Sequence, residues 1–486
     1  MTGELWAQFC SVAENEGHKA AIIDSATGHS ISYLDLVAQS HAFADALSCW
    51  DHGALAFVGE PDLYALPLVL ASAAAGWCFV PISDREPTTR IIESLSQLPG
   101  PLVVASVGGL PDLAPLEPAG PLKHLDLVWQ LIKGSPCPVS FRPFLVTYSS
   151  GSTGRPKAVA FSQATKLRRT WQSKTLFDVT CEDRILSPTP FHHSLGQRLF
   201  FLSVLTGATL VKAFPFNPDL WINAVREYAV TFSVPVATHL KIVLSRLKDD
   251  PDLLSSFRCI VTSSAPAEPE FKRAILDFAK FEFWEIYGMS ETACVTAVRY
   301  RPNEDITHLG KQIQGTTLRI AAANPDGSGQ IEVRSDCLCD GYWGDDERWA
   351  KAFSADGFFR SGDLGRLDQH GNLTFLSRTN ESFESGGLVV FPAEIERVIA
   401  ELPQISDCVV FGMPSPIFGN LVTLAYVSNS EIAPRDIAAY ARAKLPKYLW
   451  PARMFRLESF PLLTSGKVDR QSLRQLIITQ NQAKKK

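Results

Sequence analysis

The apolar run Pro143-Phe144-Leu145-Val146-Thr147 leads straight into Tyr148-Ser149-Ser150-Gly151-Ser152-Thr153-Gly154-Arg155-Pro156-Lys157. A run of strand length that stops at small hydroxyl and glycine residues predicts a buried strand opening into a loop. Such a loop can wrap a phosphate. Glycines let the backbone approach an anion, while amide N–H groups, hydroxyls and a lysine supply donors and positive charge. It is not a Walker loop, because no Gly-Lys pair stands at the required distance from Gly151 or Gly154. Taken alone, the stretch fits a plain surface linker equally well.

At 486 residues the chain exceeds what one hydrophobic core usually holds, so two or more domains are expected. With 46 basic against 51 acidic residues the net charge is −5, which makes no electrostatic case for a nucleic-acid or anionic-membrane partner. The terminal Lys484-Lys485-Lys486 reads as a solvated end. Ten cysteines, spread singly and without a Cys-x-x-Cys pair, point to reduced thiols rather than disulfides or zinc. No basic start followed by an apolar core opens the chain, so no signal peptide is expected. Residues 63–82 are strongly apolar, but Pro67, Gly76 and Pro81 interrupt them. A buried helix followed by a strand fits better than a membrane span, and the expected compartment is the cytoplasm.

Along the chain, helical spacing alternates with short strands, which points to α/β layers. Ser32 is placed to cap a helix, with Asp35 at its third position. The segment 71–87 reads as helix, glycine stop and strand. Residues 100–120, rich in Pro, Gly and Leu, read as a connection. Ala158-Val159-Ala160-Phe161 forms a return strand, followed by a helix over 164–174. In Phe191-His192-His193-Ser194-Leu195-Gly196, Gln197 stands where a His-His-x-x-x-Asp-Gly acyltransferase needs aspartate. Metal binding is weak there, since adjacent side chains of a strand point to opposite faces.

The loop Tyr148–Lys157 resembles the phosphate loop of the adenylate-forming superfamily: acyl- and aryl-CoA synthetases, peptide-synthetase adenylation domains and luciferases. Further segments match in the family's order. Ala75-Gly76-Trp77-Cys78-Phe79-Val80-Pro81 resembles an early family segment. Phe191-His192 is similar to the "F-H" motif, whose histidine lines the acyl pocket. Thr262-Ser263-Ser264-Ala265-Pro266 resembles the adenine-binding segment. Glu285-Ile286-Tyr287-Gly288-Met289-Ser290-Glu291 resembles "x-x-Y-G-x-T-E", and Ser361-Gly362-Asp363 resembles "T-G-D". Ser377-Arg378-Thr379-Asn380 is similar to the hinge, and Thr464-Ser465-Gly466-Lys467 to the C-terminal lysine motif.

The resemblance implies a large N-terminal α/β domain (1–376) of layered subdomains with a small β-barrel-like part. It also implies a hinge (377–380) pivoting on Asn380, and a small mobile α+β lid (381–486). ATP would be held by Ser149, Ser150, Gly151, Ser152, Thr153, Gly154 and Lys157. Ser264, Ala265, Pro266 and Glu285 to Ser290 would also contact it, with Tyr287 stacking on adenine and Ser290 donating to the α-phosphate. Glu291 would hold Mg²⁺. Asp363 would accept the ribose diol, and Arg378 would contact ribose and phosphate. Lys467, His192 and Ser290 are the expected catalytic residues. Asn380 and Glu384 depart from the pattern, where the family has Asp or Lys at the pivot and often Lys before the Gly386-Gly387 turn.

The implied activity is ATP-dependent conversion of a carboxylic acid to an acyl-adenylate, followed by transfer to a thiol of CoA or of a carrier protein's phosphopantetheine, acting in trans. No aspartate lies between Phe191 and Leu199 to pair an ammonium, which favours an aryl or acyl acid over an α-amino acid. Phe191, His192, Ser194, Ser264 and Met289 would line its pocket. Two alternatives stay open: an amide hydrolase using Ser149, Ser150 or Ser152, for which no matching lysine-serine segment appears upstream, and a non-catalytic nucleotide-binding relative. Pyrophosphate exchange separates them.

Overall fold

The computed structural model describes residues 3–48, 53–61, 63, 65–98, 102–106, 118–121, 128–132, 143–149, 157–246, 252–263, 267–379, 381–386, 388–415, 417–462 and 468–483. They fall into two compact units. The first comprises residues 1–264, 279–295 and 335–352, and the second 265–278, 296–334 and 353–486.

In the first unit, one sheet runs in the order Gly341–Tyr342, Lys157–Phe161, Leu145–Ser149, Cys78–Ile82, Ala54–Val58, Leu102–Ser106, Val128–Ile132, Pro118–Pro121. Ala54–Val58 pairs in parallel with Cys78–Ile82 and with Leu102–Ser106, and all three strands are buried along their length. Continuous burial is what apolar strands covered on both faces show. The segment read as a connection over 100–120 thus contains a core strand, Leu102–Ser106. Its neighbouring prolines and glycines mask the four-residue apolar run Leu102-Val103-Val104-Ala105. Helix Pro67–Ala75 stops at Gly76 in the left-handed region (φ 72°) and Cys78–Ile82 follows, as the pattern predicts.

A second sheet contains, in order, Glu282–Met289, Cys259–Thr262, Phe232–Ser233, Arg184–Ser187, Thr209–Lys212, Ala20–Asp24 and Ser30–Ser32. From Glu282–Met289 to Ala20–Asp24 the pairings are parallel. Parallel neighbours end on the same edge, and ligands of such sheets bind beyond the C-terminal ends of the strands. The segments carrying Phe191-His192, Ser263 and Ser290-Glu291 all leave from that edge. Topology therefore gathers three motifs that are far apart in sequence.

The Ser32 hydroxyl accepts the Asp35 N–H and caps helix Tyr33–Leu47. Fully buried Tyr33 donates its hydroxyl to the carbonyls of Ser203 (3.1 Å) and Ala208 (2.7 Å), pinning that helix to the end of helix Ser194–Thr206.

The second unit holds an antiparallel sheet, Thr316–Ala321, Gly329–Ser335, Phe359–Leu367 and Leu373–Arg378, and a separate sheet of Ile405–Ser415, Gly419–Ser428 and Arg453–Arg456. Alternation along Ile405–Ser415 sends Val410 toward Ile395, Ile399 and Ile437. It sends Val409 the other way, toward Leu473 and Ile477, so helices cover both faces. Among the described residues no helix is long and apolar enough to cross a membrane.

Removing the Tyr33 hydroxyl leaves buried carbonyls short of a donor at a cost of about 1–3 kcal/mol. Tyr33→Phe is expected to lower the melting temperature by a few degrees in differential scanning fluorimetry. An unchanged transition would show that the two bonds contribute nothing.

Candidate functional site

Strands Leu145–Ser149 and Lys157–Phe161 are antiparallel, with Ser149 opposite Lys157. The pairing brings both ends of the Ser/Gly loop to one point. Ser150, Gly151, Ser152, Thr153 and Gly154 lie outside the described residues, as does the side chain of Ser149. Lys157 places Nζ 3.3 Å from Glu291 Oε1 and 3.3 Å from the Tyr342 hydroxyl, which itself donates to Glu291 Oε1 at 2.9 Å. Glu291 and Tyr342 are buried. Burial and the adjacent Glu291 carboxylate push the Tyr342 phenol well up, so it remains a donor. Strand Gly341–Tyr342, paired with Lys157–Phe161, delivers it.

Glu291 is reached from strand Glu282–Met289, in which Glu285, Ile286 and Tyr287 are buried, Gly288 is exposed and Met289 is half-buried. A Cβ at Gly288 would stand 1.8 Å from the Ala293 carbonyl oxygen, so only glycine lets the chain fold back here. The turn Ser290-Glu291-Thr292 is held by Arg169 of helix Gln163–Phe177. Its guanidinium donates to the carbonyls of Ser290 (2.8 Å), Glu291 (2.7 Å) and Cys337 (2.9 Å). Burial pushes Arg169 down to about 10, which keeps it a cation at neutral pH. One side chain thereby fixes the turn bearing Ser290 and Glu291 and the segment that leads to Tyr342.

His192 and His193 lie in a turn that runs into helix Ser194–Thr206, not in a strand. Pro188 and Pro190 keep the stretch out of the ladder, and the two rings lie side by side at 4.4 Å instead of on opposite faces. Both oxygens of Glu60 accept the Phe191 N–H at 3.0 Å, and Glu60 Oε2 lies 3.7 Å from His192 Nδ1. Among the described residues no group of three or more His, Cys, Asp or Glu side chains is placed to hold a metal.

In the second unit, Asp363 is not in a solvated turn. It sits buried in strand Phe359–Leu367, opposite Arg378 of Leu373–Arg378, with Arg378 Nε 3.0 Å from its Oδ1. Gly362, at φ 74°, sets the local bend, and the Asp363 N–H donates to the Ser361 hydroxyl.

The structure thus joins Lys157 to Glu291 and Asp363 to Arg378. Ser264, Ala265, Pro266, Asn380 and Lys467 lie outside the described residues. Tyr342, Arg169 and Glu60 carry weight that sequence reading missed. The one signal for Tyr342 was an aromatic directly after Gly341.

Residues 9–343 match the family model of the AMP-binding enzymes, and residues 394–467 match that of their C-terminal domain.

The chain belongs to the AMP-binding enzyme family.

It is 31% identical over 339 residues to 2-succinylbenzoate–CoA ligase of Bacillus pumilus, covering 68% of each chain. It is 29% identical over 346 residues to indoleacetate–CoA ligase of Aromatoleum aromaticum, covering 69% of this chain and 67% of that one. ATP-bound MatB from Rhodopseudomonas palustris shares the fold with a TM-score of 0.82 at 22% identity, over 97% and 98% of the two chains. The Bacillus subtilis o-succinylbenzoate CoA synthetase MenE, in complex with ATP and a magnesium ion, gives 0.81 at 22% identity over 96% and 99%. The relatives are named CoA ligases, which makes this chain an AMP-forming acid–thiol ligase; the bound ATP and magnesium ion belong to the solved neighbours.

The residues fit the metal. Mg²⁺ commonly takes one or two carboxylates and completes its shell with phosphate oxygens and water. The single buried Glu291 carboxylate beside a phosphate-loop lysine matches that requirement.

A methyl group at position 288 must displace the backbone that carries Glu291. Gly288→Ala is expected to lower ATP–pyrophosphate exchange on the order of 100-fold, since displacements near 1 Å cost that much in positioned sites. Exchange at the wild-type rate would show that the turn does not position the site.

Proposed function

We propose that the enzyme activates an aryl or acyl carboxylic acid without an α-amine and passes the acyl group to the thiol of CoA or of a carrier-protein phosphopantetheine. The observation that carries this reading is the cluster of half-buried Lys157 with buried Glu291 and Tyr342 at the foot of the Ser/Gly loop. A cation and a carboxylate set side by side suit a metal-bound triphosphate better than they suit hydrolysis of an amide.

In the first half-reaction a substrate carboxylate oxygen attacks the α-phosphorus of ATP, and the bond to the β-phosphate oxygen breaks to release pyrophosphate. Negative charge on the phosphoryl oxygens is met by Lys157, the loop donors, the Ser290 hydroxyl and Lys467. Glu291 would hold the Mg²⁺, which supplies charge neutralisation to the triphosphate when bound. Tyr287 and the segment around Ser264 would hold adenine, and Asp363 with Arg378 would hold the ribose. His192 would border the acid. Glu60, the carboxylate near that loop, already accepts the Phe191 N–H, which supports an acid without an ammonium to pair.

In the second half-reaction the lid beyond residue 380 pivots on Asn380 and withdraws Lys467. The thiol attacks the acyl carbonyl, and AMP leaves. The cytoplasm supplies the required ATP and thiol acceptor, and we place the enzyme there.

Lys467→Ala is expected to reduce pyrophosphate exchange on the order of 100-fold or more, as for loss of one charge-stabilising donor. Thioester formation from a supplied acyl-adenylate should be largely spared. Persistent exchange in the variant sinks the assignment. An exchange assay across aryl and fatty acids, followed by CoA and a phosphopantetheinylated carrier as acceptors, tests the whole reading. Activation of α-amino acids alone would refute it.

A further inference from the structure

Helices Gln163–Phe177 and Ser194–Thr206 pack face to face, and Lys166, Arg169, Thr170, Ser194, Arg198 and Phe201 line a cavity between them. Its volume is about 10 Å³ as measured by the centre of a water-sized atom. That is room for one small group.

Three basic side chains meet there, two of them guanidinium cations, and no carboxylate oxygen of the described residues lies within 4 Å of any of them. Lys166 is buried and donates to a neutral acceptor, Gln197 Oε1, at 2.8 Å. Gln197 is tied in turn to Thr147 of the strand that feeds the phosphate loop. Arg169 spends its donors on backbone carbonyls. Half-buried Arg198 has no hydrogen-bond acceptor among the described residues.

The nearest acids are already engaged, Asp340 by Ser162 and Glu291 by Lys157. Lys166 also lies 3.9 Å and Arg169 4.5 Å from the centre of the Phe161 ring, cation–π contacts that are favourable but supply no counter-charge. Burial and the two guanidinium groups push the Lys166 ammonium well down. Like charges collected without a counter-charge are costly. The N-terminus of helix Ser194–Thr206, with the Ser194 hydroxyl, adds further positive potential and a donor.

We propose that this cavity is an anion site that takes a single small negative group, a carboxylate or a halide, between Lys166, Arg198 and Ser194. The group has two sources: a second carboxylate carried by the acid being activated, or a free anion. Ser194 also belongs to the segment expected to line the acid pocket, so the first source deepens the ligase reading and rests on it. The second source does not.

Wild type, Arg198→Met, Lys166→Met and Arg198→Lys are compared by pyrophosphate exchange on paired acids of equal length, one ending in methyl and one in carboxylate. Melting temperatures are followed in parallel as chloride replaces gluconate at constant ionic strength. A substrate-borne group predicts at least a 10-fold preference in kcat/KM for the carboxylate-ended acid, abolished in Arg198→Met or Lys166→Met and kept in Arg198→Lys. A free anion predicts no such preference and a chloride-dependent rise in melting temperature in wild type and Arg198→Lys, absent in the methionine variants. Should a methionine variant fail to fold, wild type and Arg198→Lys decide both arms. If no acid is exchanged at all, the ligase reading fails while the chloride titration still decides the anion site. Neither preference nor chloride response in wild type overturns the proposal, leaving the cluster as packing against Phe161 and Gln197.

Discussion

A buried carboxylate needs partners, and Glu291 has two: the Lys157 ammonium and the Tyr342 hydroxyl. Charged groups taken out of water without such partners are strongly unfavourable, so the three residues are placed together or not at all. Lys157 begins the strand that returns from the Ser/Gly stretch. Glu291 follows the turn beyond Met289. Tyr342 arrives on a two-residue edge strand. The requirement to satisfy one carboxylate therefore joins the two sheets of the first unit at the point where a triphosphate would lie.

Arg169 serves the same junction from behind. Its planar fork reaches three carbonyls on two separate segments, which a lysine could not do with comparable geometry. This gives helix Gln163–Phe177 control over the turn that holds Ser290 and Glu291.

Much of this was legible in the sequence wherever the signal was local. The two strands that flank the Ser/Gly stretch, the Ser32 cap and the Gly76 stop each rest on residues within a few positions of one another, and the structure shows them as read. Contacts between distant positions were not legible. Tyr342 lies 51 residues from Glu291 and 185 from Lys157, Glu60 lies 131 from Phe191, and Arg169 reaches across 122 residues to Glu291. No periodicity encodes such pairs. Two local errors have local causes: prolines turned the His192-His193 stretch out of a strand, and Pro/Gly-rich surroundings concealed the apolar strand at 102–106.

Six of the eight described cysteines are buried, Cys10 and Cys181 being half-buried, and this has a bearing on the chemistry. Cys294 and Cys339 are pushed up to about 12 by burial, and Cys337 and Cys408 are raised for the same reason. Only a thiolate is an effective nucleophile. An enzyme that generates a mixed anhydride and hands it to an incoming sulfur gains when sulfurs of its own are withdrawn. Keeping these side chains protonated and out of reach shields the protein from acylating itself while the activated intermediate waits for its proper acceptor.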